Sequence, residues 1–197
     1  MQEHYYTKEP KSELKLKKIK FNVNNKEIEL YTASGLFSLN QLDIGSELLI
    51  NKCLITGKNV LDLGCGYGAV GISLKLLNSK LELTFSDVNE RAVFITKKNL
   101  SLYNLKANVV QSDGFENIKE RFDAILLNPP QTAGKKLCFE LIEDSKEHLN
   151  ENGNLQIVAR HNKGGIELSK KMLEVFGNVK DTAKRSGYRV YISFKRI

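Results

Sequence analysis

From Asn59 to Phe176 the chain alternates short apolar runs with stretches of helical periodicity, and that alternation restricts it to one kind of fold. The runs 59–63, 81–85, 107–111, 122–127 and 155–159 read as strands, and residues 69–77, 90–103, 136–149 and 166–176 read as helices. Repeated strand–helix units need a parallel sheet covered on both faces. Segments 179–184 and 188–194, turning at Ser186-Gly187, read as a closing antiparallel pair. Upstream, alternating segments 17–22 and 27–31 flank Asn24-Asn25 and predict a hairpin. A loop over 32–45 then leads to a short helix from Ser46, taken as its N-cap, to residue 54. The division expected is an N-terminal extension over 1–31 and one α/β domain over 32–197, a length that suits a single core.

Glycines cluster where the first of these strands meets its helix, at Asp62-Leu63-Gly64-Cys65-Gly66-Tyr67-Gly68. Ligands of doubly wound sheets bind at that edge. Gly64, Gly66 and Gly68 let the chain turn sharply and let a ligand lie against bare backbone. A dinucleotide is one candidate, because Gly66-Tyr67-Gly68-Ala69-Val70-Gly71 fits G-x-G-x-x-G by letter. That match starts two residues late, and Asp62 sits badly beside a pyrophosphate. Asp62 suits a cation instead, such as an α-amino group. Asp87, ending the second strand beside Val88, is placed to accept from ribose hydroxyls. Asp113 and Gly114, after the third strand, are placed to border an adenine ring, with Phe115 packed nearby. Three acids at three successive strand tips match amine, ribose and adenine without phosphate, which are the parts of S-adenosylmethionine.

The fourth strand ends in Asn128-Pro129-Pro130. Two prolines fix φ and remove donors, so the loop presents rigid carbonyls. The Asn128 amide oxygen and the Pro129 carbonyl can each accept one hydrogen of an exocyclic NH2 group. That grip localises a delocalised lone pair and stabilises the positive charge that develops on alkylation. Asn128 and Pro129 are therefore the expected catalytic pair, without a metal and without a strong base.

Charge adds a hint about the partner. Of the net +7, the surplus lies in residues 156–197, with 10 basic against 3 acidic side chains. Positive charge near a cofactor site suits a polyanion such as RNA. The cysteines 53, 65 and 138 have no metal-ligand or redox spacing, which predicts a reducing cytoplasm and no metal. No apolar run approaches the ~18–20 residues that cross a membrane.

Gly35-Leu36-Phe37-Ser38 followed by Leu42-Asp43-Ile44-Gly45-Ser46, the Asp62–Gly68 loop, and Asn128-Pro129-Pro130 with Ala133-Gly134-Lys135 together resemble a known family. It is that of the small-domain, class I methyltransferases related to ribosomal RNA small subunit methyltransferase C, which methylates guanine N2. The resemblance covers roughly residues 30–197. It implies a mostly parallel, seven-stranded Rossmann-like sheet, S-adenosylmethionine as cofactor, and ribosomal RNA as partner of a monomer or weak dimer. By analogy the loop 37–46 lies over the cofactor, with Asp43 near the amine or the methionine end. Substrate contacts fall to Phe37, Pro130, Gln131, Lys135, Lys163 and Arg189. Many amino-methyltransferases carry an aromatic residue where this chain has Gln131, so stacking on the target base is expected from Phe37 or Tyr188. The sequence also begins without the large extra N-terminal domain of the bacterial guanine enzyme, as short relatives do. Three functions remain open: transfer to guanine N2 of RNA, transfer to another base amine or a protein glutamine, and a non-catalytic RNA-binding module.

Overall fold

The computed structural model describes residues 7–130 and 134–196; Gln131 and Ala133 lie outside them. A two-stranded antiparallel hairpin, β1 (Leu16–Val23) and β2 (Lys26–Ala33), comes first. Its turn residues Asn24 and Asn25 both have positive φ, 47° and 63°, the geometry that twists a two-residue hairpin correctly. Helix α1 (Ile44–Lys52) follows.

The main sheet takes the order β5-β4-β3-β6-β7-β9-β8. Its strands are β3 (Asn59–Leu63), β4 (Glu82–Asp87), β5 (Asn108–Gln111), β6 (Phe122–Leu127), β7 (Leu149–Arg160), β8 (Lys180–Arg185) and β9 (Tyr188–Phe194). The first five are mutually parallel, and β9 runs antiparallel to both β7 and β8. The expected α/β, doubly wound, mostly parallel seven-stranded sheet with a C-terminal antiparallel pair is present.

The helices are α2 (Ala69–Leu77), α3 (Glu90–Leu102), α4 (Lys135–Glu147) and α5 (Ile166–Phe176). Strand residues alternate between two cores, because successive side chains point to opposite faces. Val60, Phe85, Leu126, Val158 and Val190 pack under α1, α2 and α3, while Leu61, Leu63, Ile125, Ile157 and Tyr191 pack under α4 and α5. The hairpin joins the first core through Ile28 and Leu30, both fully buried. Tyr31 N–H donates to Asn99 Oδ1 and Tyr31 C=O accepts from Asn99 Nδ2, each at 2.8 Å, which ties β2 to α3. The chain ahead of the hairpin is held by Arg91, whose guanidinium donates to the carbonyls of Ser12 (2.6 Å) and Ser34 (2.7 Å).

Two expectations about element ends need correction. Ser46 is not the N-cap of α1. Asp43 is, with extended φ/ψ and its carboxylate accepting from Ser46 N–H at 3.0 Å, so Ser46 lies inside the first turn. Strand β7 starts at Leu149, six residues earlier than periodicity suggests. Asn152 at φ 62° and Gly153 absorb a register shift against β6 there, and a Cβ on Gly153 would meet the Asn150 carbonyl at 2.9 Å. That polar irregularity hides the strand's first half from an apolar count.

Candidate active site

Strand order reverses between β3 and β6: from β3 the chain winds outward to β4 and β5, and from β6 to β7. The loops at the C-terminal ends diverge at such a point and leave a crevice. A cavity of about 240 Å3 sits there, reached by the C-terminal ends of β3, β4, β6 and β7 and by the loop after β5.

The glycine loop forms its floor. Gly64 (φ 66°) and Gly66 (φ 58°) adopt left-handed backbone, and a Cβ on either would meet nothing within 4 Å. Their faces are therefore open to a ligand. Gly68 differs. It caps α2 at φ 84°, with Ile72 and Thr96 pressed against it, and it does not line the cavity. The close approach of α2 and α3 gives it a helix-cap role, and the cofactor contact expected of it would not be made from the cavity lining. Gly71 N–H, in the first turn of α2, donates to Asp62 Oδ2 at 2.8 Å. Asp62 is buried, and burial pushes its carboxyl up to about 7. Asp87 accepts from Gly66 N–H (2.8 Å) and Asn89 N–H (2.9 Å), so it ties the loop to the start of α3; burial pushes its carboxyl up to about 6.

Asp62, Gly64, Cys65, Gly66, Asp87, Val88, Asp113 and Gly114 all line this half of the cavity. Phe115 does not. It is buried in the second core and stacked on His148 with ring centroids 4.4 Å apart, because the turn after β5 rotates it beneath the sheet. Ser86, which the sequence reading passed over, lines the cavity too, and its fully buried hydroxyl has no hydrogen-bond partner among the described residues. Serine is too common in strands for its letter to signal this.

Asn128, Pro129 and Pro130 line the other half, with Asp43, Ser46 and Phe37. Asn128 Nδ2 donates to Ser46 Oγ at 3.1 Å and to Asp43 Oδ1 at 3.3 Å. An ionised carboxylate only accepts, which fixes the amide's orientation. With the nitrogen held at α1, the oxygen is the amide atom left to accept from a ligand in the cavity that Asn128 lines. Asp43 thus orients Asn128 in addition to capping α1. Gly45 fits closely here, since a Cβ would come within 3.1 Å of the Tyr188 ring and 3.0 Å of Asp43 Oδ1 and oblige them to shift slightly.

The basic residues divide. The β8–β9 turn lies on the cavity edge, since Tyr188 pairs with Arg160 at the end of β7. Arg160 lines the cavity, and its guanidinium carbon lies 5.2 Å from the Tyr188 ring centroid. Arg189 does not reach it, because Asp181 on β8 holds it in an ion pair and its strand direction turns it away. The substrate contact expected of Arg189 would therefore be made outside the cavity. Arg185 pairs with Glu47 of α1 at 2.6 Å. Lys135 opens α4 and Lys163 sits in the turn 161–165; both are exposed and neither lines the cavity, so the substrate contacts expected of them would be made outside it. Among the described residues no cluster of His, Cys, Asp or Glu is arranged to hold a metal, and no helix is long and apolar enough to cross a membrane.

Known proteins share this arrangement. The family model for the methyltransferase small domain matches residues 27–192. The uncharacterized protein YbxB of Bacillus subtilis is 36% identical over 196 residues, covering 96% of this chain and 97% of that one. A ribosomal RNA small subunit methyltransferase C from Hamiltonella defensa is 38% identical over 172 residues, 84% of this chain and 50% of the relative. The chain thus spans about half the length of that longer relative. Among solved structures, a 16S rRNA N2 methyltransferase (RsmC) of T. thermophilus, in complex with AdoMet and guanosine, superposes with a TM-score of 0.82 at 25% identity, over 95% of this chain and 52% of that one. With its matched family model, its sheet order and its Asp- and Asn-lined crevice, this chain belongs to the methyltransferase small domain family.

Proposed function

We propose that the protein transfers the methyl group of S-adenosylmethionine to the exocyclic N2 amine of a guanine in ribosomal RNA. The observation that carries this reading is the placement of Asn128, which lines the cavity beside the acid-lined half while its nitrogen donates to Asp43 and Ser46, so that its carbonyl oxygen is the acceptor kept for a substrate amine.

The residues present fit the cofactor. The open Gly64–Gly66 backbone leaves room for it, and the orphaned Ser86 hydroxyl marks a polar atom in need of a ligand partner. Asp62 would hold the α-amino group, Asp87 the ribose hydroxyls, and Val88, Asp113 and Gly114 the adenine. When bound, S-adenosylmethionine supplies a methyl group on a positively charged sulfur. The chain's own part is to position and to polarise. Asn128 Oδ1 and the Pro129 carbonyl accept the two hydrogens of the amine, aim its lone pair, and stabilise the developing cation. The aminium product is acidic enough to release its proton to solvent. Guanine and ribosomal RNA as targets are supported by the names of the relatives above, and RNA also by the cationic β8–β9 edge with Lys184 exposed.

Isothermal titration tests the cofactor half of the reading. S-adenosylhomocysteine should bind, unaffected by EDTA, while NAD and ATP stay silent; tighter binding of NAD would end the proposal. The pH dependence has a defined sign. Asp62 and Asp87 have folded pKa values raised to about 7 and about 6, so they are increasingly protonated below those values. A ligand that donates a cationic amine and hydroxyl hydrogens prefers them ionised. Affinity should therefore weaken as pH falls from 8 to 5.5, with proton release on binding near pH 7.

A further inference from the structure

The cavity holds one strong cation that the reaction as described does not use. Arg160 ends β7, and its side chain is exposed. Leu127 pairs with Ile157; continuing that register sets Asn128 level with Val158 and Pro130 level with Arg160. Leu126 and Val158 share the α1 face, and side chains alternate, so Arg160 and Asn128 project to the same side of the sheet. The Tyr188 ring lies between Gly45 and the Arg160 guanidinium and holds the latter at the cavity rim. Arg185 and Arg189 are each neutralised by a carboxylate, but among the described residues Arg160 has no ion-pair partner. Its donors are therefore available to a ligand in the same crevice.

Resting on the guanine reading above, we infer that Arg160 is the residue that selects guanine, donating its forked N–H groups to O6 and N7 of the base whose N2 amine is gripped by Asn128 and Pro129. Guanine offers two acceptors on that edge, and a guanidinium fork matches them as a pair. Adenine puts an NH2 donor in place of O6, so the fork meets a like partner and is left unpaired. The arginine thus does for specificity what Asn128 does for chemistry. The aromatic residue common after Pro-Pro grips any base by its face, whereas Arg160 reads one base by its edge.

The test sets two nucleosides, which carry no phosphate, beside one nucleotide, which does. NMR titration of the S-adenosylhomocysteine-loaded protein with guanosine, adenosine and guanosine 5′-monophosphate compares wild type, Arg160→Ala and Arg160→Lys. Arg160→Ala should weaken guanosine binding by about 10-fold or more and leave adenosine binding unchanged. Arg160→Lys should recover only part of the loss, since a point charge lacks the fork. Unchanged thermal unfolding of both variants separates this from misfolding. If Arg160→Ala binds guanosine like wild type and loses only the added affinity for the monophosphate, Arg160 is a phosphate contact and the inference fails. If wild type itself prefers no base, or prefers adenosine, the guanine reading falls and this one with it.

Discussion

Asn128→Ala should lower turnover at saturating cofactor and RNA by about 10²–10³-fold, the cost of removing one preorganised polar group from a transition state. S-adenosylhomocysteine affinity should stay within a factor of two or three, roughly the scatter of a substitution that removes no ligand contact. The split follows from geometry. Asn128 is bound to the start of α1 and faces the substrate half of the cavity, and the acids that suit the cofactor come from β3, β4 and the β5 loop. Asn128→Asp is the informative companion. It keeps the shape and an acceptor, but an ionised aspartate has no hydrogen for Asp43 or Ser46 and faces a like charge at 3.3 Å. It should therefore not restore the rate at neutral pH. Equal losses in turnover and cofactor affinity would show that Asn128 only supports the loop.

Asp87→Ala should produce the opposite split. Cofactor affinity should weaken by roughly 1.5–3 kcal/mol, because the lost hydrogen bonds are charge-assisted. Part of that loss comes from the protein itself. The carboxylate organises Gly66 N–H at 2.8 Å and Asn89 N–H at 2.9 Å, so removing it frees the glycine loop and the start of α3 together. Asp87→Asn retains one acceptor oxygen and should fall between the two. At saturating S-adenosylmethionine the variant's turnover should approach wild type. Titration and steady-state rates measured on the same preparations check both halves, and an unchanged affinity would remove Asp87 from the cofactor site.

What the sequence made legible was whatever local pattern determines. Strands 59–63 and 122–127 and helices 69–77 and 166–176 have the bounds their periodicity predicts, since each helix buries an apolar face and each strand buries side chains in both cores. The crevice was legible because polar residues interrupt apolar runs at Asp62, Asp87 and Asn128. Pairings between distant segments were not. Nothing local says that Ser46 holds Asn128 across 82 residues, or that Glu47 and Asp181 neutralise Arg185 and Arg189. A count of basic residues sees only the sum of charge, so it favoured Arg189 and passed over Arg160. The orientations of Gly68 and Phe115 were hidden for a related reason: a motif letter does not show which way a residue faces, and packing of α3 and α4 decided both.

The central claim is that this crevice methylates a base amine of RNA, and the product itself tests it most directly. Ribosomal RNA incubated with the protein and S-adenosylmethionine carrying a labelled methyl group should be digested to nucleosides and resolved by mass spectrometry. Label is expected in N2-methylguanosine, appearing about 10²–10³-fold more slowly with Asn128→Ala and reduced with Arg160→Ala. Label on a ribose oxygen, on a ring carbon, or on protein with the RNA unlabelled would contradict it.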